Sequence, residues 1–185
     1  MRKNSVGDDI TPSVLKAENL FSFPSIIFDE QFTFAVSFLA KQAKKKICIS
    51  TFKFEVCRKP RGATLQRCIN DLVSAQKRGV EINVLLNFAL DYKSTSPGNL
   101  AAAIFLFNLG FDVRYIPNGR CCHGKLFIID DSFLLVGSHN FSVRSCISNF
   151  EVSVLLDDSN IILKAREKFT SLFSRSSRFN FQKSV

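Results

Sequence analysis

The sequence predicts an α/β fold, a mixed β-sheet with helices packed on both faces. Short apolar runs alternate with longer stretches whose apolar residues recur every three to four positions, the signature of strands alternating with helices. Hydrophobic residues make up 46 % of 185, enough for one buried core, and the simplest organisation is a single domain. Two runs, at 126–129 and 133–136, are separated only by Asp130-Asp131-Ser132, which predicts a hairpin.

Each element has a local reason. Residues 1–13 read as a loose arm, the domain runs over 14–174, and 175–185 form a basic, mobile tail. A first strand is predicted at 25–28. Asp29 and Glu30 then sit where a helix N-terminus favours negative charge, and Phe32, Ala35, Val36, Leu39 and Ala43 follow at helical spacing. Lys44-Lys45-Lys46 closes that helix, and 47–52 is a buried strand. The loop after it carries Lys53, Arg58, Lys59 and Arg61 at a strand's C-terminal end, where α/β sheets border their ligands, so Lys53 and Arg58 are candidate polyanion contacts. Leu65, Cys68, Ile69, Leu72 and Val73 mark a second helix with Gly79 as its cap.

Residues 80–88 form a central strand. The polar loop 91–97 is expected to overhang the site, with Tyr92 and Lys93 as candidate substrate contacts. A third helix, 100–109, stops at Gly110; a strand follows at 111–116, and 117–120 turns the chain. Residues 141–149 are irregular or briefly helical, and Arg144 there is another candidate contact. A strand at 151–156 leads to Asp157, Asp158 and Ser159, which cap a last helix at 160–173 with Ile161, Ile162, Ala165 and Phe169 facing inward.

Composition narrows the partners. The net charge is +9, from 25 basic and 16 acidic residues, which favours an anionic partner: nucleic acid or an acidic lipid surface. The twenty Phe read as core filling. No stretch approaches the ~18 uninterrupted apolar residues of a membrane span. The N-terminus shows no secretory or transit pattern, so a cytoplasmic protein is expected. Six cysteines lack paired metal spacing and read as reduced thiols; adjacent Cys121, Cys122 and His123 cannot readily converge on one zinc.

The chemistry concentrates between His123 and Glu151. A hairpin brings His123 and Lys125, before its first strand, next to Ser138 and Asn140, after its second. A neutral imidazole is a competent nucleophile near neutral pH. Lys125, two residues on, is expected on the same face to meet phosphate oxygens, with Ser138 and Asn140 adding neutral hydrogen bonds. Glu151 is expected to hold the imidazole in one tautomer. Asp130, at the far end of the strand, takes a structural role. The set requires no metal and no cofactor.

The pattern His123-x-Lys125-x4-Asp130, then Gly137-Ser138-x-Asn140 and Asn149-x-Glu151, resembles the HKD motif of the phospholipase D superfamily. The resemblance covers about residues 25–173. It implies an α-β-α sandwich, a metal-independent attack on a phosphodiester, and a phosphohistidine intermediate. Double displacement needs a nucleophile on one side of phosphorus and a proton donor on the other. His139, the other histidine, sits where alternation turns it away from its neighbours. A second His123 from another copy is therefore expected, in a homodimer sharing one site, as single-motif members are described. The leading substrate is nucleic acid, cut by an endonuclease without a metal. The alternative is a phospholipase D or phosphatidyltransferase acting on anionic phospholipid such as cardiolipin. An inactive binding module is disfavoured, because no motif residue is missing.

Overall fold

The computed structural model describes residues 23–56, 62–88, 96–116 and 121–179. Within them, eight strands form one mixed sheet in the order β1-β7-β6-β5-β2-β3-β4-β8. The strands are β1 (Ser25–Phe28), β2 (Lys46–Thr51), β3 (Glu81–Leu86), β4 (Asp112–Tyr115), β5 (Leu126–Ile129), β6 (Phe133–Gly137), β7 (Val152–Leu156) and β8 (Ser177–Arg178). The helices are α1 (Gln31–Gln42), α2 (Ala63–Lys77), α3 (Ser96–Asn108), α4 (Val143–Ile147) and α5 (Ser159–Ser174). β2, β3 and β4 are parallel, joined by the crossover helices α2 and α3, and the other pairings are antiparallel.

Side-chain alternation splits the core into two layers. Ile47, Ile49, Val84, Phe127 and Ile129 pack beneath α1, α2 and α3. Cys48, Leu85 and Ile128 point the other way and pack on Ile162, Phe169 and Phe173 of α5. That explains why β2 and β3 are apolar almost throughout: both of their faces are covered. Burial raises the thiols of Cys48 and Cys146 to about 12, and Cys68 is also pushed up, so these side chains act as small hydrophobes.

The hairpin forms as expected, with Leu126 opposite Val136 and Ile129 opposite Phe133. Asp130 (φ 50°) and Asp131 (φ 58°) take the left-handed conformation that short Asp side chains tolerate, and the Ser132 N–H donates to the Ile129 carbonyl at 2.8 Å. The Asp130 carboxylate accepts the backbone N–H groups of Lys44 (2.5 Å), Lys45 (2.8 Å) and Lys46 (2.7 Å). It therefore ties the hairpin tip to the α1–β2 junction, away from His123. The three-lysine run supplies this tie through its backbone N–H groups.

Several expectations need correction. Asp29 does not serve the α1 dipole. It sits at φ 42°, and its carboxylate accepts the Glu151 N–H at 2.8 Å, locking β1 to the start of β7. Ile161 faces outward, and Phe173 takes the inner position that was assigned to it. The tail begins as an ordered edge: Arg114 and Tyr115 pair with Arg178 and Ser177, and Phe179 is buried. The pairing is reinforced by Asp112, which binds both Arg114 and Arg178. The arm at 1–13, the turn at 117–120, residues 180–185, and Arg58, Tyr92 and Lys93 lie outside the described residues.

Candidate active site

The open end of the hairpin is built on the C-terminal end of β2, which is hydrogen-bonded to β5. The Ser50 hydroxyl donates to the Gly124 carbonyl at 2.9 Å, and the Phe52 ring lies 5.0 Å from the His123 ring. On the other side of the mouth, the Lys53 N–H donates to Asn140 Oδ1 at 3.1 Å, and Thr51 Oγ1 lies 3.3 Å from the same oxygen. An N–H can only donate, so the atom facing Lys53 is oxygen. The Nδ2 hydrogens of Asn140 are not used in these contacts. One short segment thus fixes both halves of the motif.

Two buried asparagines hold that segment. Asn99 of α3 donates to the carbonyls of Phe52 (2.8 Å) and Asn87 (2.7 Å) and accepts the Phe54 N–H at 2.9 Å. Asn87, just past β3, accepts the Cys122 N–H on its Oδ1 at 2.9 Å. Burial raises the Cys122 thiol, which packs inward on Ser50 and Leu85, while His123 faces out. Neighbours pointing in opposite directions cannot share a metal. Among the described residues no three His, Cys, Asp or Glu side chains gather as metal ligands.

His123 and Lys125 meet as their spacing requires. The Lys125 ammonium donates to the His123 carbonyl at 2.8 Å and lies 3.1 Å from ring Nδ1, with the Phe52 ring centroid 5.5 Å away. Burial lowers the lysine's pKa, partly offset by Glu151 and the neighbouring cysteines. The arrangement places a positive charge and an imidazole at one accessible point, and Asn140, past the end of β6, is held to the same end of β2 by Lys53.

Ser138 and Glu151 depart from expectation. The Ser138 hydroxyl donates to Glu151 Oε2, and the other carboxylate oxygen accepts from Ser145 Oγ (3.1 Å) and Asn149 Nδ2 (2.9 Å). Ser138 therefore has no hydrogen left for a substrate oxygen, and within one chain Glu151 does not touch His123. It anchors the mouth. Burial penalises its charge, but hydrogen bonds from Asn149, Ser138 and Ser145 outweigh that and hold the carboxyl below its usual range. A carboxyl depressed on folding stabilises above its unfolded pKa, and that contribution is lost as pH falls through the folded value. Glu151→Gln is expected to cost about 2 kcal/mol near neutrality and to flatten the acid limb of a stability–pH curve, read by urea unfolding.

The remaining candidates are distributed as follows. His139 is turned away and buried: its ring stacks on Phe32 at 4.7 Å, Nδ1 meets Ser153 Oγ at 2.7 Å, and Nε2 meets the Asp29 carbonyl at 3.1 Å. Burial lowers its pKa, so it packs as a neutral ring. Lys53 borders the mouth, but its ammonium pairs with Glu55, whose second oxygen accepts the Val143 N–H at 2.8 Å. Arg144 is exposed on α4. The sequence reading missed Thr51, Asn87, Asn99, Ser145 and Asp29. A signal existed for Asn87, a polar residue just past an apolar strand, at the same end of the sheet as Thr51, whose carbonyl accepts its N–H.

Residues 38–173 match a family model described as "Cardiolipin synthase, PLD-like domain". The chain belongs to the phospholipase D superfamily. Its sequence is 32 % identical over 104 residues to cardiolipin synthase 1 of Staphylococcus epidermidis, an alignment covering 56 % of this chain and 21 % of that protein. The chain thus spans about a fifth of the length of that synthase. In fold it is similar to Nuc from Salmonella typhimurium, a phospholipase D family member (TM-score 0.68, 21 % identity, 85 % of this chain and 99 % of that one). It is also similar to phosphatidylserine synthase of Haemophilus influenzae (TM-score 0.69, 17 % identity, 88 % and 41 %). The eight-stranded mixed sheet with helices on both faces is the phospholipase D fold. Among the described residues no helix is long and apolar enough to cross a membrane.

Proposed function

We propose that this phospholipase D-like chain is a phosphodiesterase that cuts nucleic acid without a metal ion, through a phosphohistidine. The observation that carries the reading is the Lys125 ammonium 3.1 Å from the His123 imidazole, with the Asn140 amide oriented by Lys53 on the other side of the mouth. A His123 nitrogen attacks phosphorus as the bond to the leaving oxygen breaks. A second imidazole gives that oxygen its proton, then takes a proton from the water that breaks the N–P bond. Lys125 and Asn140 hold the non-bridging oxygens where charge builds up. Asp130 and Glu151 act by positioning, and Arg144 and Lys53 flank the path of the substrate.

We infer that the second imidazole comes from outside this domain, from a second copy of it. The sequence contains two histidines, and His139 is 1 % exposed with both ring nitrogens engaged. On this reading the working unit pairs two copies, a homodimer with one shared site. The charge of +9 favours a polyanion, which gains affinity by releasing counterions from its backbone. The second reading, transfer or hydrolysis at an anionic phospholipid, is favoured by the sequence match to cardiolipin synthases.

The test is to incubate the protein in EDTA with single- and double-stranded DNA, RNA and cardiolipin vesicles, beside His123→Ala. Cleavage of nucleic acid alone is the expected result. Turnover of lipid alone would transfer the assignment to the second reading. Binding with no turnover of any of these would overturn both.

A further inference from the structure

We propose that the cavity between α3 and the β3–β4–β8 edge is a nucleobase-binding site that holds an unpaired base of the substrate against Phe88 and Tyr115. The inference rests on the nuclease reading above and extends it to single-stranded substrate. The cavity measures about 480 Å³, the size of a small-ligand site, and is lined by Leu86, Phe88, Ala103, Tyr115, Ser177 and Phe179. Its aromatic wall is Phe88 and Tyr115, whose ring centroids lie 5.6 Å apart with the planes tilted by 53°. Both residues are half-buried, so ring surface stays open to a ligand.

Position ties the cavity to the catalytic mouth. Thr51, Leu86 and Tyr115 are directly paired across β2, β3 and β4. At a strand spacing of about 4.8 Å, Tyr115 stands about 10 Å from Thr51, which meets Asn140. That distance is roughly three nucleotides at the stacked rise of ~3.4 Å per strand, and fewer in an extended strand. Asn99 is on the cavity wall and donates to the carbonyl of Phe52, whose ring lies 5.0 Å from that of His123. Phe88 follows Asn87, which accepts the N–H of Cys122, the neighbour of His123.

The chemistry of the wall selects a base over a lipid chain. A base has an apolar face that stacks on rings and a polar edge that needs donors and acceptors. Tyr115 and Ser177 are directly paired, so both hydroxyls lie on the face of the sheet that borders the cavity. An acyl chain would bury those hydroxyls against hydrocarbon, which costs free energy. Arg114 and Arg178 also border the cavity and share the single carboxylate of Asp112, which leaves positive charge for a backbone phosphate. Bases in a duplex are paired and stacked inward, so the occupant has to come from an unpaired strand.

The test uses end-labelled single-stranded oligonucleotides with or without one reduced abasic residue, cut by the full chain in EDTA and resolved on a sequencing gel. Wild type is expected to cut the linkage at one fixed offset from the abasic residue roughly 10-fold less than the same linkage in the intact strand. Distant linkages in the same lane serve as the reference, so the ratio is independent of the active fraction of protein. In Phe88→Ala the protection is expected to vanish, and in the control Leu163→Ala, exposed on α5, to persist. Phe88→Leu, apolar but without a ring, serves if Phe88→Ala lowers the melting temperature. Cleavage with no protected linkage, or with equal protection in the Phe88 variants, overturns the base site and leaves the nuclease reading intact. Duplex cut at the single-strand rate does the same. No cleavage of any nucleic acid overturns the nuclease reading, and the base site with it.

Discussion

His123→Ala is expected to lower turnover by roughly ten-thousand-fold or more, about 5 kcal/mol of transition-state stabilisation, with substrate binding and melting temperature nearly unchanged. The side chain is exposed, and its ring contacts are Phe52 and Lys125, so its removal leaves the core intact. Loss of the nucleophile removes the covalent route altogether, whereas loss of an auxiliary donor such as Lys125 leaves it open. Two in-line displacements restore the configuration at phosphorus. A chiral phosphorothioate diester should therefore be cleaved with retention, and rapid quench of wild type should yield an acid-labile, base-stable phosphoenzyme. Inversion at phosphorus, or wild-type rates in His123→Ala, would remove the basis for a histidine nucleophile.

Gly137→Ala is expected to destabilise the fold by about 3 kcal/mol or more, at the upper end of overpacking effects. A Cβ at this position would lie 2.3 Å from the Val152 carbonyl oxygen and 2.4 Å from Ser153 Cα. Both obstacles are backbone, so no rotamer change relieves them. β7 must move away from β6, which breaks the Ser138 N–H bond to Val152 and slackens the carboxylate network that anchors the mouth. The melting temperature should fall by roughly 10 °C, with turnover falling alongside it. Gly124→Ala provides the contrast. Its Cβ would meet nothing closer than Ser50 Oγ at 3.9 Å, so stability should be nearly unchanged even though it lies between His123 and Lys125. Equal melting temperatures for the two variants would show that close backbone approach is not why position 137 is glycine.

Much of this molecule is legible in one dimension because its signals are local. The hairpin follows from two apolar runs around Asp130-Asp131-Ser132, and the meeting of His123 with Lys125 follows from their two-residue separation. α2 and α5 follow from apolar spacing, and the Asp158 cap of α5 can be read directly: its carboxylate accepts the N–H groups of Asn160 and Ile161. The family assignment followed from the same local pattern.

What the sequence could not decide were partners far apart along the chain. Whether Glu151 serves an imidazole or two serines depends on where α4 delivers Ser145, and that depends on packing rather than spacing. Asp29 and Glu151 are 122 residues apart, and the strands that join them are adjacent only because β1 lies at the sheet edge beside β7. Asn99 lies just before the helix predicted at 100–109 and carries no signal of its own until the sheet brings two strand ends to it. The short tail at 177–178 reads as loose because two residues carry no periodicity; pairing with β4 and burial of Phe179 order it. The sequence by itself determined the longer elements and the chemistry-bearing pair, since turn geometry and alternation act over a few residues. The tertiary structure alone decided which polar groups remain free to meet a substrate, since each donor hydrogen goes to whichever acceptor the packed fold brings within reach.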